Sequence, residues 1–161
     1  MKKLLSCLLA AVLLLSMVSC VGTSYKTDVA VDERAINASP KLIGGVVYRA
    51  AATNYFDDYY DMPDGIEDFT VRITGDTGNL DEFGIFHVPA GREKEMTGLL
   101  QGYLAARLER NEEFYNSYIP EEVVKLRSAE VKVFGSYIVY AILSDDNSTI
   151  LFSAIEEALT A

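Results

Sequence analysis

One histidine, His87, stands in the 161-residue chain, within Gly84-Ile85-Phe86-His87-Val88. Imidazole exchanges protons near neutral pH, so a Ser–His–Asp or Cys–His set would have to use it. Carboxylates that could complete an acid–base site with it are Glu82 and Glu121. Alternation along a strand, however, puts His87 on the face of Phe83 and Ile85, and a partly buried sheet residue is the simpler account. Zinc normally takes several His or Cys ligands, which one histidine and two cysteines do not supply. Neither a P-loop nor a GxGxxG stretch is present, and Gly75-Asp76-Thr77-Gly78 reads as a turn. No residue earns a catalytic role, and no metal or cofactor is expected.

Two other groups of residues carry chemical potential. Asp57, Asp58, Asp61, Asp64, Glu67 and Asp68 are the densest set of oxygen ligands, although an EF-hand spacing is missing. A solvated acidic face accounts for them, with a weak calcium module as the alternative. In Tyr118-Ile119-Pro120-Glu121-Glu122 the proline suits a first helical turn, where the two acids meet the positive end of the helix dipole. Lys125, four residues after Glu121, is placed for an ion pair with it. Tyr115, Tyr118, Ile119, Glu121 and Glu122 form a candidate interaction surface.

The N-terminus reads as an export signal. Lys2 and Lys3 precede an apolar run, Leu4 to Met17, which small residues carry to Cys20. The run is shorter than the roughly 20 residues a spanning helix needs. Met17-Val18-Ser19-Cys20 resembles a bacterial lipobox, whose cysteine thiol is acylated and becomes the first mature residue, with Met17 where the pattern prefers Leu, Val or Ile. Cys20 is therefore the expected lipidation site. Two or more acyl chains make a stable anchor where one does not. Loss of Lys2 and Lys3 takes the formal charge from −10 to −12. Such a chain has no cationic excess for nucleic acid, and an anionic leaflet repels it.

Three units follow: a lipoprotein signal peptide over 1–19, a small, polar tether over 20–31, and a single domain over 32–161. A short helix is expected near Asp32–Asn37, capped by Asp32, and Val46-Val47-Tyr48 leans to strand. The aromatics of Asn54–Tyr60 fall on one helical stripe. Phe69, Val71 and Ile73 alternate with Thr70, Arg72 and Thr74, predicting a strand with one wet face. Glu82–Val88 reads as a central strand, Arg92–Tyr115 as the longest helix, and Glu121–Leu126 as a short one. Glu130–Phe134 and Tyr137–Leu143 form a hairpin at Gly135-Ser136, and the chain ends in a helix. The predicted class is α+β: an antiparallel sheet of about four strands with helices packed mainly on one face, after the signal helix.

Asp81-Glu82-Phe83-Gly84-Ile85-Phe86, the long helix, Tyr118-Ile119-Pro120-Glu121-Glu122 with Lys125-Leu126 and Ala129, and Gly135-Ser136-Tyr137-Ile138-Val139 together carry a resemblance. They resemble a family of bacterial lipoproteins defined by domain of unknown function 4358, over about residues 50 to 155. The resemblance implies an exported, lipid-anchored domain of clostridia-like bacteria and brings no catalytic residue with it. The expected function is that of a cell-envelope protein on the extracytoplasmic face of the membrane. It would serve as a non-enzymatic binding or accessory module for an envelope protein or cell-wall component. A carboxylate-based envelope hydrolase is the alternative to set beside the calcium module.

Overall fold

Alternating apolar residues and well-placed turns produce a five-stranded antiparallel sheet in the computed structural model, which describes residues 23–42, 46–51, 55–56, 61–66 and 68–160. The signal peptide, Cys20, Asp57, Asp58 and Glu67 lie outside the described residues, as do Tyr59 and Tyr60 of the aromatic stripe of Asn54–Tyr60. Helix α1 (Val31–Ala38) leads through a single 3₁₀ turn (Ser39–Lys41) to β1 (Tyr48–Ala50) and β2 (Asp68–Thr74). Strand β3 (Glu82–His87) is followed by the long α2 (Glu93–Tyr118) and the short α3 (Pro120–Arg127). The hairpin β4 (Glu130–Phe134) and β5 (Tyr137–Ile142) precedes α4 (Asp145–Thr160). The order across the sheet is β1-β2-β3-β5-β4, every pair antiparallel, so β3 is central.

The α+β class and antiparallel sheet are as expected, and β1 makes the fifth strand. The helices divide between both faces of the sheet, a correction to the one-sided packing expected. On one face Phe86, Val71, Ile138, Tyr140 and Ile142 pack against Met96, Leu100, Tyr103 and Leu104 of α2. On the other, Phe83, Ile85, Tyr137 and Val139 pack against Val31 and Ala35 of α1 and Leu151 and Ile155 of α4. The polar side of β2 is not wet, because α1 covers it. Asp32 accepts hydrogen bonds from Thr70 (3.2 Å) and Arg72, and does not cap its own helix. Polar alternation alone does not distinguish a solvated face from one covered by a polar partner.

Part of the expected tether packs against the domain. Tyr25 meets Phe134 edge-on at 5.9 Å, and the Lys26 amide donates to the Leu159 carbonyl. Tyr137 accepts from the Val29 amide (2.8 Å) and donates to the Val29 carbonyl (2.9 Å). From Tyr25 onward, then, the chain is held at the end of the sheet where the β4–β5 hairpin turns.

Gly84 lies at a close approach. A Cβ there would fall 2.3 Å from Cε1 of Tyr140 and 2.9 Å from Cε2 of Phe86. Both rings are buried, so neither can swing into solvent. Gly84→Ala is expected to lower stability by about 1–3 kcal/mol through overpacking, read as a fall in the urea midpoint with an unchanged slope.

Candidate functional site

Glu82 opens β3 on the α2 face and is almost fully buried, with 1% of its surface exposed. A carboxylate there requires donors, and four surround it. Tyr103 and Tyr140 each donate to Oε1 at 2.6 Å, Tyr55 donates to Oε2 at 2.6 Å, and Arg107 makes an ion pair with Oε2. Arg107 also donates to the Tyr103 hydroxyl at 2.8 Å, so that hydroxyl both gives and receives. Tyr103 and Arg107 are one turn apart on α2, Tyr140 comes from β5, and Tyr55 precedes β2.

Burial first, and the Glu82 charge second, push the hydroxyls of Tyr55, Tyr103 and Tyr140 above the ordinary phenol value. Burial opposes the Arg107 charge, yet Glu82 and the phenols outweigh it and raise its pKa. Among the described residues, the donors of the cluster are directed at Glu82 or at one another.

Asp81, the preceding residue, is also buried. Lys125 of α3 donates to it at 2.6 Å and Tyr48 of β1 at 2.7 Å. Lys125 pairs with Glu122 as well (2.8 Å), and Glu122 accepts from the Leu80 amide. The Lys125–Glu121 pair expected from spacing is thus replaced by one with Glu122. Of the candidate interaction residues, Tyr118 and Glu121 are exposed, Tyr115 and Ile119 are half-buried against the core, and Glu122 is turned inward.

The possible acid–base trio is not brought together. Glu82 faces α2, whereas His87 lies on the Phe83 face about 17 Å further along β3, and Glu121 is exposed on α3. His87 instead stacks on Tyr137 (4.5 Å between centroids, 12°), with Nδ1 3.6 Å from Oδ2 of Asp68. Asp68, His87 and Tyr137 are register neighbours on three adjacent strands. Asp68, His87 and Ser136 also line a shallow cavity of about 410 Å³. Sequence reasoning did not connect these three, because only strand register does so. The Ser136 hydroxyl is enclosed and has no hydrogen-bond partner among the described residues. The Asp68 carboxylate, at 3.6 Å, is beyond hydrogen-bond length of the imidazole. Among the described residues no group of three or more His, Cys, Asp or Glu is placed to hold a metal ion, and no helix is long and apolar enough to cross a membrane.

The region that includes both buried acids and the β4–β5 hairpin is also the region of family similarity. Residues 49–143, more than half of the chain, match the family described as Domain of unknown function (DUF4358). The chain belongs to this family. No curated protein and no solved structure matches it. In this DUF4358 member the matched region runs from β1 to the end of β5 and leaves α1 and α4, which cover the Phe83 face, outside it.

Two outcomes follow from the clusters. Arg107→Leu strands a buried carboxylate and is expected to cost about 3–5 kcal/mol, whereas adding Glu82→Leu to it recovers part of that loss in a double-mutant cycle. Raised phenol values mean that the folded chain keeps protons the unfolded chain releases above pH 10. Their contribution is therefore complete below pH 10 and is lost as pH rises further, by about 1.4 kcal/mol per unit for each phenol. Phenolate absorbance of these tyrosines should appear together with loss of circular dichroism; appearance well before unfolding would contradict the geometry.

Proposed function

We propose that this DUF4358 protein is an exported lipoprotein, acylated at Cys20 and held on the extracytoplasmic face of the membrane, whose domain is a non-enzymatic binding or accessory module. The observation that carries the reading is Met17-Val18-Ser19-Cys20, placed after a charged start and a short apolar run. The packing of Tyr25 against Phe134 supports it. Five residues span at most about 17 Å, so a lipid on Cys20 would hold the hairpin end of the sheet near the membrane.

The test is mass and fractionation of the chain expressed in a bacterium with lipoprotein processing. Wild type should be membrane-bound and heavier than its mature polypeptide by the mass of its acyl groups. Cys20→Ala should lose both properties. An unmodified wild-type chain released into the medium would refute the anchoring.

A further inference from the structure

Helix α2 outruns the sheet it packs on. Met96, Leu100, Tyr103 and Arg107 make its buried stripe, and the stripe meets the last of the sheet at Glu82. Eleven more residues, roughly 16 Å of helix, continue to Tyr118. Phe114 and Tyr118 fall on that same stripe at helical spacing, yet neither is among the described residues packed against the core under the helix. Phe114 is 59% and Tyr118 72% exposed, and their rings stand 4.7 Å apart. Tyr115 adjoins Phe114 at 5.7 Å and packs against the Phe86-side core, so the exposed aromatics are continuous with the interior.

The overhang is braced. Arg127 of α3 donates to Glu112 at 2.6 and 2.9 Å, while Val123 and Leu126 are buried. Adjacent aromatics held open on a rigid support are a preorganised contact surface.

Charge selects the occupant. Residues 109–122 carry five glutamates and one arginine. Glu113, beside Phe114, and Glu121, three residues after Tyr118, are exposed and form no ion pair among the described residues, whereas Glu109 lies on the opposite side of α2 and Glu112 and Glu122 are paired with Arg127 and Lys125. An anionic leaflet would be repelled, and a second copy would bring like charges together.

We propose that the Phe114–Tyr118 overhang docks a protein partner through a cationic amphipathic segment, its apolar face on the two rings and its Lys or Arg residues toward the glutamates. That the overhang points away from the membrane rests on anchoring at Cys20; the docking does not.

The probes are two synthetic amphipathic helices with one apolar stripe in common, one flanked by Lys and the other by Glu. They are titrated against the mature chain in zwitterionic nanodiscs, with empty nanodiscs as control. If Cys20 carries no lipid the chain stays in solution and is titrated there, so failed anchoring and failed docking read out separately. The Lys-flanked helix should bind and the Glu-flanked one should not. Phe114→Ser with Tyr118→Ser should weaken binding about tenfold or more without changing the melting temperature, because both rings are exposed. Glu113→Lys with Glu121→Lys should weaken it as well, and added salt should do the same. Unchanged binding by the aromatic double variant, or equal binding of both helices, would overturn the proposal. So would a wild-type dimer that the aromatic double variant dissolves, or adsorption to anionic vesicles through the overhang.

Discussion

Glu82 is the constraint around which the α2 side of the domain is organised. A carboxylate removed from water is tolerated only when its lone pairs are filled, and a half-filled site is worse than an apolar one. Here the donors come from α2, from β5 and from the segment before β2. If the helix slid by one turn, one of Tyr103 and Arg107 would take the other's place and Glu82 would lose a donor. Apolar stripes tolerate such a slide, because one leucine replaces another. The cluster thus contributes registry more than net stability. Gly84 belongs to the same constraint, since Tyr140 reaches Glu82 across the space a side chain at Gly84 would fill.

Asp81 does for α3 and β1 what Glu82 does for α2. The two acids are consecutive at the start of the central strand, and their partners differ completely: Lys125 and Tyr48 for one, Arg107 and three tyrosines for the other. Both helices of the α2–α3 corner are therefore tied to a single peptide unit. A 26-residue helix fixed at that point can project beyond the sheet without fraying from it, because its overhanging turns are braced through Glu112 and Arg127.

The elements themselves were legible where local pattern decides them. Alternation located β2, an apolar run bounded by turns located β3, Gly135-Ser136 located the β4–β5 hairpin, and apolar spacing located α2 and α4. What escaped was whatever depends on long-range pairing. Thr70 and Arg72 look solvated until Asp32, some 40 positions away, is folded over them. Glu82 reads as the edge of an apolar strand, and nothing local says that three tyrosines and an arginine converge on it. One signal was available: ten tyrosines with no tryptophan, in a chain whose buried acids need hydroxyl donors. Of the proposed surface, Tyr118 and Glu121 are outside and Glu122 is inside, because the choice between i,i+3 and i,i+4 partners for Lys125 was settled by Asp81 and not by helical spacing.

The two ends of the sheet are chemically unlike, and that difference gives the domain a direction. One end gathers the packed N-terminal segment, the C-terminus of α4 and the His87 cavity around the hairpin. The other holds both buried acids and the overhang. Hydrogen-bonded strands join the two ends. On the proposed anchoring, acidic charge and a short leash act together: repulsion from an anionic leaflet lifts the domain, while the leash holds the hairpin end down. Under those two forces the hairpin end would face the lipid and the end with the buried acids would face away. The aromatic rings would then be presented away from the lipid, where a partner can reach them without displacing membrane.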